Sequence, residues 1–284
     1  MMSESNLHRV GVFDSGVGGL SVLREMRKLL PAVPLLYVAD QAHIPYGERP
    51  LEEILHYSRE ITRFLLARGA GLIVVACNTA SAAALDILRQ DYPDVPFVGM
   101  EPAVKPASQQ TRSRVVGVLA TPATFQGRLY ATLVERFAHD VTILTSTLPG
   151  LVEAIERGEL DTAATRAILS EAIQPMLAES ADTLVLGCTH FPFVLPLIRQ
   201  IAGGDVNVID PAPAIARRAA TLIKERQWML SDASEAEMTF ATSGDNTQFA
   251  GMLQHLLDIS AQPLQLVWHA DSQQLSEMRI SKWH

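Results

Sequence analysis

Cysteine is scarce in this chain: its 284 residues hold only Cys77 and Cys188. Two thiols cannot build a disulfide scaffold, and with scattered histidines they give no zinc-ligand spacing. No Cys-x-x-Cys pair appears, which argues against a dithiol redox centre. Long apolar stretches are missing too. The longest run is about nine residues, where a membrane span needs roughly 20. The opening "MMSESNLHRV" lacks the apolar core of a secretory signal. Basic residues are in deficit, 23 Lys plus Arg against 31 Asp plus Glu, for a formal net charge of −8. That balance speaks against a broad nucleic-acid-binding surface. These absences describe a soluble, cytoplasmic protein with reduced thiols and no membrane, nucleic-acid or metal partner.

What is present is a regular alternation. Short apolar runs recur: "RVGVF" at 9–13, "PLLYVA" at 34–39, "GLIVVA" at 71–76 and "VPFVG" at 95–99. A second set follows, "RVVGVL" at 114–119, "VTIL" at 141–144, "TLVLG" at 183–187 and "VNVI" at 206–209. Amphipathic stretches such as "LSVLREMRKLL" separate them. The pattern predicts an α/β fold with parallel, doubly wound sheets. The two sets match in order at an offset of about 106 to 111 residues, the mark of an internal duplication. Shared βα turn chemistry is the plainer explanation of such likeness, but four matches in one order favour two pseudo-symmetric lobes. Ligands of open parallel sheets bind at the carboxyl ends of the strands. Two facing lobes would put Cys77 and Cys188, each just after a strand, on opposite sides of one cleft.

The other strand ends carry small polar residues. "FDSGVGGLS" offers Asp14, Ser15 and a glycine-rich turn whose amides, free at a helix start, suit a small carboxylate better than a nucleotide. "ADQAHIPYGE" offers Pro45, Tyr46 and Gly47 in a rigid loop able to close over a ligand. Asn78 and Thr79 follow Cys77; Thr189 and His190 follow Cys188. Taken singly, each cysteine reads equally as a buried core residue, and its neighbours as helix caps. Taken as a symmetric pair, they read as a two-base site. A free thiol has a pKa near ~8.5, so each needs a helper. Asp14 is within reach of Cys77 and His190 lies two residues from Cys188. One thiolate removes a proton from one face of a carbon while the opposite thiol protonates the other face, inverting the centre with no cofactor. Ser15, Asn78, Thr79, Thr121 and Thr189 supply donors for substrate carboxylates and the developing charge.

The segments "FDSGVGGLSV", "YVADQAHIPYGE", "VVACNTAS" and "LVLGCTHFP" resemble the signature segments of the glutamate racemases, within the cofactor-independent aspartate/glutamate racemase superfamily. The resemblance runs from about residue 9 to 225. It implies interconversion of L- and D-glutamate, supplying D-glutamate for peptidoglycan. It makes Cys77 the base for D-glutamate and Cys188 the base for L-glutamate, with Asp14 assisting the first and His190 the second. Glu153, in "LPGLVEAIERGE", becomes the carboxylate supporting His190. Ser15, Pro45, Tyr46, Gly47, Asn78, Thr79, Thr121 and Thr189, with Asp14 and His190, become substrate contacts. The chain's end is implied to return to the first lobe. The expected division is a first lobe of residues 1–100 plus 209–270, a second of 101–208, and a polar tail of 271–284 on the surface or disordered. The family also admits a homodimer and a nucleotide-sugar peptidoglycan precursor as activator.

Three rivals remain at this level. A racemase acting on aspartate or a hydantoin would share the two-thiol logic. A non-catalytic binding protein would tolerate loss of both cysteines. A cysteine hydrolase needs one nucleophile and leaves the second thiol unexplained.

Overall fold

The apolar runs are dense in Val, Ile and Leu because their strands are covered on both faces, as the central strands of parallel sheets are. In the computed structural model, which describes residues 9–228 and 236–278, they form two sheets. The first contains β1 (Arg9–Asp14), β2 (Leu35–Ala39), β3 (Ala70–Val75) and β4 (Phe97–Gly99). The second contains β5 (Val115–Ala120), β6 (Thr142–Ser146), β7 (Thr183–Gly187) and β8 (Asn207–Ile209). Their orders are β2-β1-β3-β4 and β6-β5-β7-β8, so the first four strands and the second four are laid out identically. Every neighbouring pair within these two quartets is parallel. All the carboxyl ends within each quartet therefore lie along one edge.

The chain then returns to the first sheet. The helix Ala212–Glu225 packs on the helix Leu20–Leu29. β9 (Met238–Thr242) adds beside β2 in parallel, with Ala39 opposite Thr242. β10 (Leu264–His269) and β11 (Gln274–Glu277) complete a seven-stranded sheet. This corrects the expected polar tail from residue 271. Gln274–Glu277 pairs antiparallel with β10, with Leu275 buried opposite Trp268. A short edge strand with polar residues on its solvent side reads as a loop in sequence. The remainder of that tail, residues 279–284, lies outside the described residues. No helix among the described residues is long and apolar enough to cross a membrane.

Beside the sheet edge, Asp40 ties the returning segment to the loop after β2. It is fully buried. Its Oδ2 accepts from the Tyr46 hydroxyl at 2.6 Å and meets His43 Nδ1 at 2.9 Å. Its Oδ1 accepts from Ser243 Oγ and Trp268 Nε1, both at 2.7 Å. Removing a carboxyl that satisfies the buried Tyr46 hydroxyl and three half-buried groups leaves each with part of its desolvation cost. Asp40→Ala is expected to lower stability by about 2–4 kcal/mol, read as a lower urea midpoint.

Candidate active site

The strand ends of the two sheets converge on one small cavity. Cys77 and Cys188 both line it, with Ser15, Pro45, Tyr46, Gly47, Asn78, Thr79, Thr121, Thr189, His190 and Val152. The structure thus brings together every substrate-contact residue expected from the sequence except Asp14, which lies buried directly behind Ser15 and Thr189. The cavity is small, about 20 Å³. A buried water needs roughly 10–15 Å³ on that measure. An amino-acid-sized substrate therefore enters only after the two walls part.

Cys77 caps the helix Asn78–Asp91. Its backbone is extended, and its Sγ accepts from Ala80 N at 3.4 Å. The expected caps, Asn78 and Thr79, are instead the first helical residues. Thr79 Oγ1 turns to Thr121 Oγ1 on the opposite wall at 2.9 Å. Asn78 is buried and neither its Oδ1 nor its Nδ2 has a protein partner. A buried, unpaired amide on a cavity wall is poised for a ligand. Burial, reinforced by the charge of Asp14, pushes the Cys77 thiol well above its ordinary pKa, against the helix-terminal amide. Burial also raises the Asp14 carboxyl.

The Cys188 wall is built differently. Cys188 Sγ lies 3.7 Å from His190 Nδ1. His190 Nε2 lies 2.6 Å from Glu156 Oε1. Burial opposes charge on His190, but its contacts with Cys188 and Glu156 outweigh burial and raise its pKa well above the usual value. The imidazolium form is therefore favoured beside the Cys188 sulfur.

Glu156, not Glu153, occupies the position behind His190. The two are three residues apart in the helix Leu151–Glu156, so one face carries both and sequence spacing does not separate them. Packing does: Glu156 is buried against His190, whereas Glu153 lies on the wall of a neighbouring antechamber with Pro45, Gly47 and Thr121. Glu156 shows no sequence signal beyond being the other carboxyl of that turn.

The glycine-rich turn also departs from expectation. Three of its amides are already engaged and not free for a substrate carboxylate. Ser15 N donates to Asp14 Oδ1 at 2.7 Å, Gly19 N donates to Asp14 Oδ2, and Val17 N donates to Glu156 Oε1 at 2.6 Å. The turn directs these three donors to the two buried carboxylates, Asp14 and Glu156. Its glycines permit close approach instead: a Cβ on Gly18 would fall 2.6 Å from Thr189 Oγ1 and collide with the His190 ring.

Two sheets that share one strand order thus place both thiols on a shared cavity. The chain belongs to the Asp/Glu/hydantoin racemase family, whose model matches residues 10–219, and so is an isomerase. Within that family it is similar to the glutamate racemases. It is 50% identical to the glutamate racemase of Roseiflexus sp. (strain RS-1) over 91% of this chain and 95% of that one. The Escherichia coli glutamate racemase, solved in complex with L-glutamate and the activator UDP-MurNAc-Ala, superposes with a TM-score of 0.79 at 32% identity, covering 96% of this chain and 100% of that one. The Francisella tularensis glutamate racemase, solved with D-glutamate, gives a TM-score of 0.81 at 28% identity, covering 94% and 99%.

Proposed function

We propose that this chain interconverts L- and D-glutamate by direct proton transfer between Cys77 and Cys188, with no cofactor. The observation that carries the reading is that both sulfurs line one cavity, each with its own acid–base partner. The His190 imidazolium lies against the Cys188 sulfur, a cation beside the group that is to act as base, while burial and Asp14 hold Cys77 as thiol. In the L-to-D direction the Cys188 thiolate takes the α-proton and becomes a thiol. The Cys77 thiol delivers its proton to the opposite face and becomes a thiolate. The reverse reaction runs the same transfers backwards, so protons balance in both directions. Between them, the carbanion's charge spreads into the substrate carboxylate, where Asn78, Thr79, Ser15 and Thr189 offer amide and hydroxyl groups.

The relatives solved with L- and D-glutamate support glutamate as substrate. On this reading the product is D-glutamate for peptidoglycan, made in the cytoplasm. A nucleotide-sugar precursor, the activator class in the E. coli relative, is the natural regulator. The test is circular dichroism of L- and D-glutamate with enzyme alone. Both signals should decay to zero without additives, and L-aspartate should persist. Turnover of aspartate but not glutamate would overturn the substrate assignment.

A further inference from the structure

The Glu156 carboxyl is not held by its own lobe alone. Gln41, in the loop after β2, donates from Nε2 to Glu156 Oε2 at 2.9 Å. The Gln41 Oε1 accepts from Thr242 Oγ1 at 2.8 Å, at the end of β9. Gly244 N in turn donates to Thr242 Oγ1 at 3.0 Å. This fixes the amide's direction, since Thr242 spends its hydroxyl proton on Gln41 and its lone pair on Gly244. Gly244 leaves room for the arrangement: a Cβ there would lie 2.7 Å from Gln41 Cβ. Thr242 is fully buried and Glu156 nearly so.

We propose that Gln41 is a positioning residue for Cys188, acting through Glu156 and His190 in a relay that joins the two lobes. The inference rests on the function proposed above. Glu156 receives Val17 N and His190 Nε2 on Oε1 and Gln41 Nε2 on Oε2. Two of those three donors come from the first lobe, while His190 and Cys188 belong to the second. The relay is therefore complete only when the lobes are together, and parting them to admit substrate withdraws two donors from Glu156. A donor to a buried carboxylate favours the ionised form, and so favours the imidazolium paired with it. Closure over substrate thereby sets the protonation of the Cys188 wall.

The other titratable groups around His190 and Glu156 are Cys188 beside the ring, Asp14 from β1, Tyr37 from β2 and Cys77 across the cavity. Substitution of Gln41 leaves all of them in place. Gln41→Met keeps the length of the side chain and removes the donor. Gln41→Glu restores either an O–H donor or a second negative charge. Each variant is assayed for glutamate turnover, and its His190 ring is titrated by ¹⁵N NMR without substrate. Gln41→Met is expected to lower kcat roughly tenfold, the loss of one charge-assisted hydrogen bond, and to move the His190 titration to lower pH. Gln41→Glu is expected to keep that titration at or above the parent's. An unmoved titration in Gln41→Met, or an equal fall in both variants, would overturn the relay even if both were less stable. A parent that fails to turn over glutamate while the titrations shift as described would retire the function and leave the relay standing.

Discussion

Replacing either cysteine by alanine is expected to reduce racemisation by about 10³-fold or more, at the upper end of what a positioned acid or base contributes. The reason is symmetry. Inversion needs a base on one face and an acid on the other, and on the proposed reading the two sulfurs that line the cavity supply that pair. L- and D-glutamate have equal free energies in solution, so a variant must lose kcat/KM equally in both directions. The asymmetry appears elsewhere, in solvent exchange. Cys77→Ala keeps the Cys188–His190–Glu156 wall and should exchange the α-proton of L-glutamate in deuterated water without inverting it. Cys188→Ala should do the same to D-glutamate alone. Proton NMR of the α-position reads both. Racemisation at the parental rate in either variant would refute the two-base assignment, and exchange of both enantiomers by one variant would point to a single shuttling base.

The sequence carried the parts of this site that depend on strand ends and left out the parts that depend on packing. Asp14, Cys77, Thr121 and Cys188 each follow or end an apolar run, so a parallel-sheet reading already places them on one edge. The duplicated strand order is legible for the same reason, because the runs recur in sequence before they pair in space. Glu156 is different. Its choice over Glu153 is made by a histidine 34 residues away, in a separate segment. The glycine-rich turn was readable as a donor-rich loop, but the identity of what it binds was not. Its partners, Asp14 and Glu156, come from the strand before it and from the other lobe. Gln41 sits in the same segment as Pro45, Tyr46 and Gly47, yet its proposed role exists only through Thr242, about 200 residues later, brought beside it by the β2–β9 pairing. β11 has too little apolar alternation to announce itself; its register comes from Leu275 facing Trp268.

The contrast between Glu156 and Glu153 gives the second large effect. Glu156→Gln is expected to lower kcat on the order of 10²-fold, while Glu153→Gln should stay within roughly threefold of the parent. The two substitutions are chemically identical and one helical turn apart, so a general effect of neutralising this helix cannot separate them. What separates them is His190. Its imidazolium is sustained by Cys188 on one nitrogen and Glu156 on the other, against burial. Without the Glu156 charge, burial prevails and the ring gives up its proton at lower pH. The alkaline limb of the kcat/KM profile should then move to lower pH in Glu156→Gln and stay in place in Glu153→Gln. Stability follows the same sign. The folded-state pKa of His190 is raised, so the pairing contributes fully below the ordinary value of about 6.5 and fades as pH climbs through the raised one. Urea unfolding of parent and Glu156→Gln should therefore differ most at acid-to-neutral pH and converge on the alkaline side. Equal kinetic losses in the two glutamate variants, or an alkaline limb indifferent to Glu156, would mean that the imidazole beside Cys188 does its work without this carboxylate.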